Sequence, residues 1–507
     1  MKKKIKENYE SIKKKIFLIN KNIKNFVKEN YKYILIFFLI YFIALIPLIR
    51  ANINYKDDLG RVRYGYRGFG FGRYVSDYLS ILIHGGTNIS DISPFTTILA
   101  ILIMSVASTL ILRVINKEKK IKWYHIVATL PFGMNPYFLE CYSYKFDAPY
   151  MALSVLFSVI PFLFYKKEKN HKNISFIILS IICTFLMAAS YQASSGIYPM
   201  ITIVLVLAML NDKKDKKEIF KLIYKAVIGY VGGLIIFRLL LSNNDNFYIH
   251  PEILRLKDFF PQAIANYKKF YTTIFQEMKL IWLIIIAMTI IFFIIKEIQQ
   301  SKNQKYISAI ITIVSIILLF LLAFGAYPFL TQPIFEPRSM YGFFILIALL
   351  AIKNCNCKYN LIPKTLSICL AYLFLTTTLI FGNACLEQYK YNQLRLTLLI
   401  NDINNLDVKN EETLKIDIEG TIGRSNKIDG IVNKYPVFNK LLTPTLGDNN
   451  DIWEVYEIAT YYDIPNVEFN VATKNEISYE EMELVKETRY HSIYQKDNYI
   501  LVKLNKI

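Results

Sequence analysis

The sequence predicts an all-α polytopic membrane protein of about eleven transmembrane helices, followed by a small C-terminal α/β extracytoplasmic domain. Three observations carry that expectation. The 507 residues are 54% hydrophobic, with a mean hydropathy of +0.30, which is too apolar for an ordinary soluble fold. Apolar runs of roughly 17–22 residues, long enough to cross the hydrocarbon core as helices, recur from residue 33 to residue 383. Beyond that point the composition turns polar and acidic. Residues 384–507 hold 14 Lys+Arg and 20 Asp+Glu, a net of −6, against 46 and 20 in the first 383, a net of +26.

In chain order, residues 1–32 form a lysine-rich N-terminal segment, and residues 33–383 the transmembrane domain. Spans are expected near 33–50, 93–115, 122–138, 148–165, 174–190, 193–210, 222–241, 279–296, 306–325, 339–352 and 365–383. Lysines at 117–122, 166–172, 213–221, 296–305 and 353–364 fall in alternate connections. Basic residues collect on the cytoplasmic side, so the N-terminus is expected in the cytoplasm and, with an odd span count, the C-terminal domain outside. The same distribution argues against a nucleic-acid partner, because the positive charge lies between spans rather than on one face; the bilayer is the expected partner. In the tail, Leu386 to Ile403 reads as a helix leaving the membrane. Strands are expected at Leu414–Ile418, Val467–Val471, Ser492–Gln495 and Tyr499–Leu504, and helices at Asp451–Tyr462 and Tyr479–Glu487.

The chemistry concentrates in the first outer loop, residues 51–92. It opens with adjacent carboxylates, Asp57 and Asp58, followed by Arg61, Arg63, Arg67 and Arg73 with glycines at 60, 65, 68, 70 and 72. Adjacent acids repel, so a fold retains both where cations, hydrogen bonds or a ligand offset the repulsion. Carboxylates can take a proton from a hydroxyl, arginine forks match phosphate, and glycine permits close backbone approach. Acid, anion binder and flexible backbone together suit group transfer from a phosphate-linked donor; an Asp–Arg cap over helix ends is the structural alternative. Tyr74–Ile83 reads as an amphipathic helix closing this loop. Other outer segments add Glu140, Lys145 and Asp147 between the third and fourth spans, Tyr191 and Gln192 at a tight helix junction, and Glu336 and Arg338 before the tenth span. No metal-ligand signature is complete, and a divalent cation is conceivable only at Asp57/Asp58.

These motifs, in this order, resemble those of the GtrII-type bacterial glucosyl transferases. The resemblance rests on Asp57-Asp58-x-x-Arg61, the Gly-rich aromatic stretch ending at Gly72-Arg73, and Pro94. It continues through Asn135-Pro136-Tyr137, Glu140, Tyr144-Lys145-Phe146-Asp147 and Ser190-Tyr191-Gln192-Ala193, with Ile416 to Gly423 in the tail. It implies a GT-C-like integral-membrane hexosyltransferase of the bacterial inner membrane. The implied donor is a polyprenyl-phosphate sugar, typically undecaprenyl-phosphate glucose, and the acceptor a hydroxyl of a surface glycan such as the O-antigen of lipopolysaccharide. Asp57 and Asp58 are then the expected catalytic acids. Arg61, Arg73 and Arg338 are expected at the donor phosphate, and Glu140, Lys145, Asp147, Tyr191, Gln192 and Glu336 at the substrate. The rival readings are a GT-C enzyme using another sugar or a teichoic-acid or protein acceptor, and a lipid-linked oligosaccharide flippase. A flippase needs polar groups deep in its spans, whereas here the clearest acids lie in the outer loops.

Overall fold

The computed structural model describes residues 2–67, 72–116, 120–165, 175–241, 252–356, 361–406, 413–444, 446–447, 457–458, 467–469 and 481–506, with side chains from residue 20 onward. Its membrane half consists of helices. Those expected as spans are α1 (Lys2–Ala51), α4 (Phe95–Ile115), α5 (Trp123–Gly133), α7 and α8 (Ala148–Val159 and Phe162–Tyr165), and α9 (Ser175–Ala188). They continue as α10 (Ile197–Asn211), α11 (Lys216–Leu241), α13 (Leu280–Gln300), α14 (Lys305–Leu322), α16 (Gly342–Asn354) and α17 (Ile362–Asn404). Between them lie α2 (Asp58–Tyr64), α3 (Tyr74–His84), α6 (Phe138–Ser143), α12 (Phe259–Glu277) and α15 (Pro337–Met340).

Every expected span coincides with a helix, yet among the described residues eight are long and apolar enough to cross a membrane. The three short ones are α5, α9 and α16. Helix α5 carries Pro131 in its last turn and meets Asn135-Pro136 just beyond, and proline halts a helix by removing a donor and clashing with the preceding turn. All 13 residues of α16 are buried. A helix wrapped in protein has its backbone screened by neighbours and need not match the lipid thickness. Helix α12, inside a segment expected to be a loop, is amphipathic. Its buried stripe runs Ala263, Asn266, Phe270, Ile274, Glu277 at helical spacing, while Phe260, Ile264 and Phe275 are exposed.

Close packing between spans uses small residues. Gly229 and Gly233, one turn apart on α11, face Ser180 and Thr184, one turn apart on α9. A Cβ at Gly229 would meet the Ser180 Cβ at 2.3 Å, and one at Gly233 the Thr184 Cβ at 2.6 Å. Only glycine lets the two backbones approach this far.

Helix α17 is 43 residues long, about 65 Å at ~1.5 Å per residue, roughly twice the ~30 Å hydrocarbon core. Its far half therefore leaves the membrane. There Leu396, Leu399, Ile400 and Ile403 cover a mixed five-stranded sheet, in a core with Ile416, Ile418, Ile500 and Val502. The strands are β1 (Leu414–Gly420), β2 (Val467–Phe469), β3 (Glu483–Glu487), β4 (His491–Lys496) and β5 (Tyr499–Leu504), in the order β2-β1-β5-β4-β3. Strand β1 runs parallel to β2 and β5, and the rest are antiparallel. The buried Arg395 guanidinium fastens α17 to this sheet by donating to the carbonyls of Tyr490 at 2.6 Å and Asn505 at 2.8 Å.

Two expectations for the tail need revision. The described part of the Tyr479–Glu487 helix is strand β3, because pairing with β4 across a short turn overrides local helix preference. The Asp451–Tyr462 helix lies outside the described residues except Glu457 and Ile458, which are helical. Two short helices were not expected at all: α18 (Asn426–Lys434) and α19 (Phe438–Leu441). Their apolar residues Ile428, Val432, Val437, Phe438, Leu441 and Leu442 join the core of the membrane half, not that of the sheet.

Candidate active site

Helix α1 ends at Ala51, and the chain turns sharply into α2. Asn52 and Lys56 both adopt left-handed φ, 44° and 48°, a conformation that is costly for residues with a Cβ and held only by surrounding contacts. The turn is closed by the Tyr55 amide, which donates to Asp58 at 3.1 Å.

Asp58 and Arg61 lie three residues apart on α2 and hence on one face. Together they grip the turn between α6 and α7. The buried Asp58 carboxylate also accepts from the amides of Lys145 at 2.9 Å and Phe146 at 3.4 Å. Arg61 pairs with Asp147 at 2.7 Å, both largely buried. Burial pushes the Asp58 carboxyl up to about 7, against the opposing pull of the backbone donors and Arg61. The Lys145 ammonium is bound to Asp91 at 3.0 Å. Thus Asp58, Arg61, Lys145 and Asp147, read separately along the chain, interlock two outer loops.

Asp57 differs. It precedes α2, is half-buried, caps no amide, and its carboxylate makes no hydrogen bond or ion pair to a described residue. Its charge raises the proton affinity of both Arg61 and Arg338. Nearby, the fully buried Glu140 collects two cations. Lys56 Nζ approaches it at 3.1 Å and Arg338 Nη1 at 3.9 Å, while the Arg338 amide donates to Oε2 at 2.8 Å. Glu336 lies 4.0 Å from Lys56, its carboxyl pushed above the ordinary glutamate range mainly by burial.

Arg73 and Arg338 converge on Tyr191. The Arg73 guanidinium lies 4.8 Å from the Tyr191 ring centre, and the Tyr191 hydroxyl donates to the Arg338 carbonyl at 3.2 Å. Helix α3 brings Arg73 there because its first turn bonds the 189–190 backbone, through Val75 N–H to Ala189 and Ser76 Oγ to Ser190. Gln192 opens the following 3₁₀ turn, half-buried. Of the glycine-rich stretch, residues 68–71 lie outside the described residues, and Gly72 has left-handed φ. The structure therefore brings Asp57, Glu140, Glu336, Arg338, Arg73 and Tyr191 into one neighbourhood and gives Asp58, Arg61, Lys145 and Asp147 to the scaffold around it.

Lys56 and Asp91 were not singled out from sequence, although Lys56 precedes the two aspartates directly and that adjacency was the available signal. Asp58 has both oxygens turned to backbone N–H groups, so the adjacent acids do not present a shared face to a divalent cation. The described residues contain no group of three or more His, Cys, Asp or Glu placed to hold a metal.

Apolar helices long enough to cross a membrane, with a buried acid–cation cluster in the connections between them, define the class: a polytopic membrane protein. The chain belongs to the glucosyl transferase GtrII family, whose sequence model matches residues 46–349. It is also similar to a Salmonella phage P22 protein described as an uncharacterized 55.3 kDa protein in the gtrB 5′ region, with 31% identity over 250 residues. That match covers 47% of this chain and 49% of the phage protein, so the chain spans about half the length of the relative it matches. No solved structure matches the chain.

Proposed function

We propose that the protein is a membrane glucosyltransferase that moves glucose from a polyprenyl-phosphate donor to a hydroxyl of a surface glycan such as O-antigen, on the outer face of the bacterial inner membrane. Family membership supports glucosyl transfer. The observation that carries the mechanism is the contrast within the acid pair: among the described residues the Asp57 carboxylate has no hydrogen-bond or ion-pair partner and lies close enough to Arg338 to raise its proton affinity, while Asp58 is enclosed.

In this reading Asp57 takes the proton from the acceptor hydroxyl as that oxygen attacks the anomeric carbon from the face opposite the phosphate. The bond between the anomeric carbon and the phosphate oxygen breaks, its electron pair leaves with the polyprenyl phosphate, and the anomeric configuration inverts. The leaving group gains one negative charge. Arg73 over the Tyr191 ring, Arg338 over the Tyr144 ring and Lys56 on Glu140 stabilise it, so fixed cations aimed at developing charge supply the main electrostatic effect. Glu140 sets the position of both Lys56 and Arg338, and Gln192 and Glu336 face the sugar hydroxyls. Asp58, Arg61, Lys145 and Asp147 hold the two loops in register.

The topology that suits this chemistry has the 1–32 segment in the cytoplasm, eleven crossings within 33–383 counting the three short helices, and 384–507 outside. The test is transfer by purified protein from undecaprenyl-phosphate glucose to the host's own surface glycan. Asp57→Asn should reduce the rate on the order of 10²–10⁴ while leaving donor binding intact. Wild-type turnover in that variant rules the mechanism out. Transfer of a different sugar in preference to glucose rules out the donor.

A further inference from the structure

The region matched by the family ends at residue 349, yet two consecutive residues of α19, far beyond it, touch both walls of the site. The Lys440 ammonium donates to the Phe335 carbonyl, one residue before Glu336, and lies 3.5 Å from Glu277 at the end of α12. Glu277 is itself held by the Tyr137 hydroxyl at 2.6 Å, beside the start of α6, the helix that carries Glu140. Leu441 reaches the other wall, where its carbonyl accepts the Tyr55 hydroxyl at 3.1 Å. The Tyr55 ring stands edge-on to Tyr144 at 5.1 Å, and its amide bonds Asp58.

We propose that Lys440 is a positioning residue for the transfer site, fixing the Phe335–Arg338 segment so that Arg338 stays on Glu140 and faces the donor phosphate. The inference rests on the reading of Arg338 given above. Three features set this apart from simple domain glue. The seat of α18 and α19 is made by apolar side chains, Val437, Phe438, Leu441 and Leu442, so the ammonium is not needed to bury them. The Phe335 ring is already packed on Phe270, 4.6 Å between centres, which leaves its carbonyl as the free end that Lys440 fixes. The Arg338 amide, three residues along, donates to Glu140, so any drift of this segment reaches the guanidinium directly. The soluble part of the chain thereby becomes part of the site instead of an appendage.

The test uses the full chain purified in detergent. Hydrogen exchange is followed over peptides spanning 331–341, and undecaprenyl phosphate alone is the binding probe. Lys440→Met keeps the apolar stem and loses the charge. Combined with Glu277→Gln, which avoids stranding that buried acid, it should raise exchange at the Arg338 and Ser339 amides about tenfold by local opening, and weaken undecaprenyl-phosphate binding about five- to tenfold, with the melting temperature that of Glu277→Gln alone. Lys440→Arg should recover most of both. Unchanged exchange in the double variant overturns the proposal. So does a general rise in exchange with a melting temperature below that of Glu277→Gln, which marks a merely structural role. If exchange rises locally as expected but Arg338→Ala binds undecaprenyl phosphate like wild type, the positioning stands and the assignment of Arg338 to the donor falls.

Discussion

At the residue scale the most informative contrast is between neighbours of the same type. Asp57 and Asp58 carry the same group, but one, at the head of α2, makes no side-chain bond to a described residue and the other is enclosed by three backbone donors. Their amide variants should therefore fail differently. Asp57→Asn should keep its melting temperature and lose turnover. Asp58→Asn places an NH₂ where only acceptors fit, leaving donors unpaired at about 1–3 kcal/mol, and should melt early with whatever remains folded still active. Thermal unfolding and a single-turnover assay on the two proteins check this. The raised carboxyl of Asp58, about 7 against an ordinary 3.8, adds a pH signature. Between those values the folded state holds a proton that the unfolded chain releases, so stability falls as pH rises from about 4 to 7 and then levels off. Melting curves across that range should show the slope in wild type and lose it in Asp58→Asn. The arginines divide in the same way. Arg61→Ala strands the buried Asp147 and should cost about 3–5 kcal/mol of stability, whereas Arg338→Ala should spare stability and weaken donor binding. Titration with undecaprenyl phosphate beside a melting curve separates the two. The sequence pointed to these residues because an acid pair among arginines beside an apolar run is unusual. It did not reveal which were spent on each other. That depends on the 145–147 turn reaching α2, a pairing of segments more than eighty residues apart.

At the element scale the apolar runs were legible, since each expected span is occupied by a helix. Their lengths were not. Helices α5 and α16 are shortened by proline and by complete burial, and a hydropathy window cannot distinguish lipid from protein as surroundings. Helix α12 was missed for the opposite reason. Its alternation of apolar and polar residues at helical spacing lacks the unbroken hydrophobicity of a span, and it lies where a loop was expected. The contact of α9 with α11 yields a prediction that needs no knowledge of function. Gly233→Val would force a branched side chain against the Thr184 Cβ and the Ile181 carbonyl, 2.6 and 2.7 Å from the added Cβ, and overpacking of this kind costs roughly 1–3 kcal/mol or more. The variant should show lowered detergent stability with Arg338 and Asp57 chemistry intact in surviving molecules. Gly430, which has open space around it, is the control position.

At the scale of the whole molecule, a reporter active only outside the cytoplasm, fused after Ile507, should be active. Activity confined to a cytoplasmic reporter would invert the orientation and move the site to the wrong face. Four of the tail's five strands were readable from alternation, whereas β3 was read as a helix; the turn joining β4 to β5 is marked by Asp497 with positive φ. The seating of α18 and α19 on the membrane half was not readable, because nothing in a short amphipathic segment says which of two cores it joins. The unbroken course of α17 has a further consequence for exchange of parts between relatives. A helix is a screw: each residue added or removed turns everything beyond it by about 100° and shifts it ~1.5 Å. A sheet carried on such a rod keeps its orientation to the bilayer only if the residue count from Ile362 to Asn404 is kept. Hybrids that join the membrane half of one chain to the soluble part of another are thus governed by the phase of one helix, and a single-residue error at the seam would swing the whole sheet away from its seat.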